Sequence, residues 1–107
     1  MLIQNEMIGV LEQVGAVNEG KKNPWQEILI RMKAPTDTSG IARGDDKIYP
    51  VVIFGKDTIE KTWRDCDKVA IGSRVAVKFY MNSTMREGDG GRQFYNIQLK
   101  LKEMRPL

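Results

Sequence analysis

Residues 48–66 read IYPVVIFGKDTIEKTWRDC, and the change of pattern halfway along this stretch decides the fold. Its first half, Ile48 to Gly55, is rich in β-branched and aromatic residues and predicts a strand, in which Pro50 indicates an edge or an unpaired position. Its second half predicts a helix from Asp57 to about Cys66, because Asp57 and Glu60 have the spacing of a capping box. The stretch is therefore a strand followed directly by a helix.

Four further strands surround this stretch, two before it and two after it. Apolar residues recur there with period two, which is typical of half-buried strands. The predicted strands cover Ile3 to Val17, Trp25 to Lys33, Arg74 to Asn82 and Arg92 to Lys102. Five strands with one helix between the third and the fourth predict an all-β fold, the five-stranded Greek-key barrel called the OB-fold. The length corresponds to a single domain, residues 1–107.

The same alternation gives each strand an inward and an outward face. We expect the fourth and fifth strands to turn inward Val75, Val77, Phe79, Met81, Tyr95, Ile97, Leu99 and Leu101. The outward positions of the second, fourth and fifth strands are Leu29, Arg31, Lys33, Arg74, Lys78, Tyr80, Asn82, Arg92, Phe94, Asn96, Gln98, Lys100 and Lys102. Cations and aromatic residues alternate in this outward set, and no acidic residue belongs to it.

The composition limits the functions open to the chain. A formal net charge of +3 and a sequence pI of about 9.1 permit nucleic-acid binding without requiring it. There is no histidine, so catalysis by serine or cysteine paired with histidine is excluded, and we expect no enzymatic activity, no metal and no cofactor.

The single cysteine, Cys66, is interpreted as a small buried hydrophobe, and Trp63 as a core residue. No apolar run is long enough to span a bilayer and no export signal is visible, so we expect a cytoplasmic protein without a membrane partner.

A family resemblance rests on four consecutive features of the chain. They are the strand YPVVIFGK, the helix, the strand GSRVAV, and a glycine-tipped arm that leads into QFYNIQL. Together, from about Ile8 to Met104, they resemble the bacterial single-stranded DNA-binding proteins, in a short form without the acidic tail of that family. The resemblance implies that Phe54 stacks on a base, that Ile48 and Arg86 replace two of the family's tryptophans, and that the chain is a homo-oligomer, either a dimer or a tetramer.

Binding a single strand without reading its sequence requires cations for the phosphates and flat side chains for the base faces. We expect Phe54, Tyr80 and Phe94 to stack on bases, with Tyr95 turned into the barrel. The expected phosphate contacts are Arg31, Lys33, Lys78, Arg86, Arg92 and Lys100. The first hypothesis is therefore a non-catalytic binder of single-stranded DNA in replication, recombination or DNA transfer. RNA is an alternative ligand, and replication or recombination proteins are candidate partners.

A second hypothesis is an OB-fold assembly module, which contacts protein in a replication or mobile-element complex. It is motivated by the two replaced tryptophans and by the modest net charge. An exposed Phe94 or Tyr80 would then be an interface residue. Trp25, which has no counterpart in the family, is interpreted as a rim or packing residue. The arm Met85 to Gly91 and the loop Pro35 to Lys47 are candidates for reaching a neighbour or for wrapping the strand.

Overall fold

The computed structural model describes residues 3–20, 22–34, 36–42 and 44–107, so Pro35 of the predicted long loop lies outside the described residues. The strands are β1 (Ile3–Asn18), β2 (Trp25–Met32), β3 (Lys47–Phe54), β4 (Arg74–Glu87) and β5 (Gln93–Pro106). Helix α1 (Lys56–Asp65) lies between β3 and β4, and a short 3-10 turn (Asp89–Gly91) joins β4 to β5. None of the helices in this described part of the chain is long and apolar enough to cross a membrane.

The strands close into a barrel in the order β1-β2-β3-β5-β4. Neighbouring strands are antiparallel except for β3 and β5, which are parallel and pair through Val51 with Leu99 and Val52 with Lys100. This topology confirms the predicted five-stranded OB-fold with a helix between the third and fourth strands. Pro50 is in register with Leu29 of β2 and comes just before the two residues of β3 that pair with β5, so it lies at a position that is unpaired on the β5 side.

The barrel interior is filled by the inward residues of all five strands together with Ile59 of α1. Trp63 packs against this core, and its indole Nε1 donates a 2.6 Å hydrogen bond to Oε1 of Gln26. The Cys66 thiol is buried and lies 3.2 Å from the carbonyl oxygen of Met104. Burial raises the pKa of the Cys66 thiol, and the negative charges of two neighbouring aspartates raise it further. Both residues have the structural roles that the sequence predicts.

Helix α1 begins one residue earlier than the sequence predicts, and the predicted capping box is wrong. The N-cap is Gly55, which has no side chain to accept a hydrogen bond and adopts a φ of 96°. That positive φ turns the chain directly from β3 into the helix, and glycine is the residue that adopts it without steric cost. Asp57 instead lies in the first turn, where its carboxylate faces the positive end of the helix dipole.

Strands β4 and β5 are longer than predicted and extend beyond the barrel as a two-stranded arm, residues 82–98. The predicted inward side chains of Met81, Tyr95 and Ile97 are not buried; Tyr95 is 66% exposed and Ile97 68% exposed. The alternation is correct in placing these residues on the face of the sheet that does not carry Phe94 and Asn96. Nothing in the described chain covers that side where the arm leaves the barrel. The prediction that Tyr95 points into the barrel is therefore wrong.

Candidate nucleic-acid interface

The outer face of the arm is set by the register between β4 and β5. Residues directly opposite each other in an antiparallel pair project from the same face. The opposed pairs on this face, from the barrel to the tip, are Tyr80 with Lys100, Asn82 with Gln98, Thr84 with Asn96, and Arg86 with Phe94. The outer face thus carries an aromatic residue and a cation at each end and neutral polar groups between them.

Each of the three predicted stacking residues has a cation over its ring. The Nζ of Lys100 lies 5.2 Å from the ring centroid of Phe54, and the Cζ of Arg86 lies 5.9 Å from that of Phe94. The Nζ of Lys102 lies 5.8 Å from the ring centroid of Tyr80. These distances are within the range of cation–π attraction. A base that stacked on any of these rings would have a positive charge close to its own phosphate.

Lys100 lies at the centre of this surface. It is opposite Tyr80 on β4 and in register with Val52 on β3, so it links Phe54 on one side to Tyr80 on the other. The structure therefore brings together five of the predicted site residues on β3, β4 and β5: Phe54, Tyr80, Arg86, Phe94 and Lys100. Lys102 belongs with them although the predicted site omitted it. Its position in the outward alternation of β5 was the available signal.

At the tip of the arm, the chain positions Phe94 through a glycine. The backbone N–H of Gly88 donates a 2.7 Å hydrogen bond to the carbonyl of Arg92, which closes the turn. The ring of Phe94 lies directly against Gly88, and a Cβ at position 88 would overlap ring carbons. A depression of about 520 Å³ at this tip is lined by Arg86, Glu87, Gly88, Asp89, Arg92 and Phe94, so two carboxylates lie there with the two arginines. The absence of a side chain at Gly88 thus lets the Phe94 ring lie against the turn, with the Arg86 guanidinium over it.

Three other predicted cations have different surroundings. The Arg31 guanidinium lies 2.6 Å from Glu12 and 3.7 Å from Asp46, and Lys78 lies 3.8 Å from Glu103. These carboxylates balance the positive charges that the sequence assigned to phosphate binding. Arg31 and Lys33 line a depression on the outer surface of β1 and β2, together with Arg74, and are not part of the outer face of the arm. Alternation alone could not reveal these ion pairs, because the carboxylates come from other elements.

A small pocket lies where β2, β3 and β5 meet, and we call it the aromatic pocket. It has a volume of about 200 Å³ and is lined by Trp25, Val52, Phe54, Gln98 and Lys100. Trp25 and Phe54 are directly opposite each other in the β2–β3 pair. Trp25, interpreted from the sequence as a rim or packing residue, therefore lines a concave surface with a predicted stacking residue. The missing information was the strand register, which no local pattern gives.

One acidic residue lies beside the aromatic pocket. Glu27 is opposite Val52 on β2, two residues after Trp25 on the same face, and it is exposed. The outward set of the second strand began at Leu29 and so left this carboxylate out. The pocket therefore has a positive charge on its β5 side, at Lys100, and a negative charge on its β2 side, at Glu27.

The opposite face of the arm is apolar, and we call it the apolar face. Its apolar residues are Met85, Tyr95 and Ile97, with Met81 next to them at the barrel end, and all four are exposed. The same side also carries Ser83 and, at the tip, Glu87 and Gln93. At the barrel end it leads into an open cavity of about 410 Å³ lined by Met7, Met32, Tyr49, Pro50, Phe79, Met81, Ile97 and Leu99. Contiguous exposed apolar surface of this kind marks an interaction site in soluble proteins. The two faces of the arm thus differ sharply in chemistry.

Solved structures with this fold include several single-stranded DNA-binding proteins. The chain aligns over 100% of its length with 96% of Rim1, the mitochondrial single-stranded DNA-binding protein of S. cerevisiae, at a TM-score of 0.67 and 18% identity. It aligns equally completely with 95% of a small single-stranded DNA-binding protein from Streptomyces coelicolor, at a TM-score of 0.66 and 11% identity. A deletion mutant of the single-stranded DNA-binding protein from Thermus aquaticus gives a TM-score of 0.68 and 20% identity over 50% of that chain.

No family model and no curated protein sequence matches the chain. The fold is that of the single-stranded DNA-binding proteins, as the resemblance of the FGK strand, helix and glycine-tipped arm predicts. At these identities the likeness establishes the fold, and function has to be argued from the surface itself.

Proposed function

We propose that this chain is a non-catalytic single-stranded DNA-binding protein that binds largely without regard to sequence. The observation that carries the proposal is the surface of β3, β4 and β5, on which each of three aromatic rings has a cation within 6 Å. Stacked aromatic rings and adjacent cations are the two elements that sequence-independent binding of a single strand requires. The shared fold with known single-stranded DNA-binding proteins supports the same assignment.

The proposed path of the strand runs from Phe54 over Lys100 to Tyr80 and then along the outer face of the arm to Phe94. Lys100 and Phe94 are both on β5, six residue steps apart, and at about 3.4 Å per residue this separation spans roughly 20 Å. Bases would stack on the rings and phosphates would pair with the cations beside them. One such stacked base contributes about 1 to 3 kcal/mol by alanine substitution. The neutral amides between the two ends would contact sugar and base edges.

We also propose that the protein works as a homo-oligomer, a dimer or a tetramer, in cytoplasmic replication, recombination or DNA transfer. The apolar face of the arm supports self-association. A two-stranded hairpin is at best marginally stable in water, so an arm with one exposed apolar face gains stability when that face is covered. A second copy presents the same face and can cover it by two-fold symmetry. Replication and recombination proteins are the proposed further partners.

The test is an anisotropy titration of a labelled oligo(dT) with the purified chain at low and at moderate salt, with oligo(U) and a duplex of equal length as comparisons. We expect tight binding to oligo(dT) that weakens as salt rises, with a log–log slope of about −0.7 per phosphate contacted. We expect weaker binding to the duplex, whose bases are not free to stack on the rings. Absence of binding to either single strand at low salt would refute the proposal. Equal binding to oligo(U) would extend it to RNA.

The second candidate function is the protein assembly module. The apolar face and the carboxylate-paired cations Arg31 and Lys78 favour it, because together they give the chain more protein-binding surface and less free charge than the sequence indicates. Under this function the exposed ring of Phe94 would contact protein. The assembly module would replace the DNA-binding function if the chain associated with itself or with a replication protein but never raised the anisotropy of labelled oligo(dT).

A further inference from the structure

We infer that the aromatic pocket, lined by Trp25, Val52, Phe54, Gln98 and Lys100, holds one nucleobase and that Trp25 is one of its walls. The inference rests on the proposed binding of a single strand and adds to it a defined subsite with a residue that the family resemblance does not supply. The pocket volume of about 200 Å³ lies below the roughly 300 to 1,000 Å³ of drug-sized sites, which suits a single heterocyclic ring.

The geometry of the pocket follows from the end of the β2–β3 ladder. Trp25 and Phe54 are directly opposite each other there, and side chains in that relation start about 4.5 to 5.5 Å apart at Cβ. Trp25 is 37% exposed and Phe54 47% exposed, so both rings have uncovered aromatic surface. Val52 lies two residues before Phe54 on the same side of β3 and is buried, so it forms an apolar floor.

The remaining wall is polar and comes from β5. Gln98 carries both a carbonyl acceptor and an NH₂ donor, which can pair with the edge of a base. Lys100 places its ammonium 5.2 Å from the centre of the Phe54 ring. The pocket therefore combines two aromatic walls, an apolar floor and one hydrogen-bonding side, which is the arrangement that single-strand binders use for an unpaired base.

The charges beside the pocket also fix how a nucleotide would enter. Glu27 is exposed on the β2 side, and Lys100 lies on the β5 side. A phosphate is repelled by the first and attracted by the second. The base would thus enter with its sugar and phosphate toward β5, on the same path that leads from Lys100 to the outer face of the arm.

The chain offers an internal reporter for this subsite. It contains two tryptophans, and the second, Trp63, packs against the core and is hydrogen-bonded to Gln26. A Trp63→Phe variant would leave Trp25 as the single indole emitter. If that variant does not fold, as judged by circular dichroism, the difference in emission between the natural chain and Trp25→Phe isolates the same signal.

The experiment titrates the Trp63→Phe chain with unlabelled oligo(dT) while a parallel sample follows the anisotropy of labelled oligo(dT). We expect quenching of Trp25 emission that saturates at the same concentration as the anisotropy. Trp25→Ala should weaken binding by about 5- to 150-fold, the range for one stacked base, and Trp25→Phe should retain most of the affinity. Ile71→Ala, a truncation of an exposed apolar residue in the turn before β4, should leave the affinity unchanged.

The outcomes separate this inference from the proposed function. A rise in anisotropy with unchanged Trp25 emission, or with undiminished affinity of Trp25→Ala, would show that the strand binds elsewhere, and the inference would be overturned while the proposed function stood. No rise in anisotropy at low salt would overturn both. A loss of affinity in Trp25→Ala together with an equal loss in Ile71→Ala would assign the effect to general destabilisation and also overturn the inference.

Discussion

Gly88→Ala is a substitution that should remove one stacking site without changing any charge. The added methyl group would overlap the ring of Phe94, which lies against Gly88. The backbone at Gly88 is extended, with φ −105° and ψ −175°, so alanine is compatible with it. The backbone hydrogen bond from Gly88 to Arg92 also remains available. The expected structural change is therefore confined to the Phe94 ring, which must leave its position beside Arg86.

The magnitude is bounded by the value of one stacked base, about 1 to 3 kcal/mol, or roughly a 5- to 150-fold weaker affinity for oligo(dT). The assay is anisotropy at several salt concentrations, in which the log–log slope should stay that of the natural chain because no cation is lost. Phe94→Ala should cause a similar loss. The Gly88→Ala, Phe94→Ala double variant should lose no more affinity for oligo(dT) than Phe94→Ala alone, because both changes act on the same ring.

Two results would refute this reasoning. The first is a Gly88→Ala chain that binds oligo(dT) as tightly as the natural chain while Phe94→Ala binds it clearly more weakly. This would show that the ring stacks equally well from another position. A further loss when Gly88→Ala is added to Phe94→Ala would show that the methyl group acts on the turn and not on the ring. Thermal unfolding of each variant provides the control, since Gly88 lies outside both strands and the melting temperature should hardly change.

Three further predictions concern single charges and the apolar face. Lys100→Gln should make the log–log salt slope for oligo(dT) shallower by about 0.7, whereas Lys68→Gln, which is exposed after α1, should leave it unchanged. Glu27→Gln should raise the affinity at low salt by about two- to five-fold, since an exposed charge interaction is worth about 0.5 to 1 kcal/mol, and the gain should vanish at high salt. An unchanged affinity at low salt would place the strand away from β2. A Tyr95→Ser, Ile97→Ser double variant should shift the mass measured by light scattering toward the monomer, and an unchanged mass would remove the apolar face from the interface.

The barrel could be predicted from the sequence because its elements are encoded locally. Period-two alternation gives strands and faces, and the change of pattern in residues 48–66 gives the helix between the third and fourth strands. The start of the helix was mispredicted because a capping box is a local signal too, and the positive φ of Gly55 overrode it. The capping-box spacing and the glycine are both local signals for the start of the helix. The glycine determines the start because the chain must turn sharply after Phe54.

The candidate site was only half predictable, since alternation specifies on which side a residue lies but not which residues lie beside it. Phe54 and Phe94 are exposed, as the sequence predicts, whereas Tyr80 is half-buried. The partners that decide their chemistry, the cations over their rings, come from other strands or from the far side of a hairpin. The pairing of Trp25 with Phe54 and the ion pairs of Arg31 depend in the same way on long-range register.

The two faces of the arm suggest a physical link between self-association and strand binding. Because the arm projects from the barrel as two strands with one apolar face exposed, the free monomer should sample arm positions that a covered arm does not. Covering the apolar face would hold the outer face in one shape and reduce the entropy lost when a strand stacks on Phe94. Coupling of this kind is reciprocal, so a bound strand must strengthen the association between copies by the same factor. The Tyr95→Ser, Ile97→Ser variant should accordingly bind oligo(dT) more weakly although both of its changes lie on the face turned away from the strand.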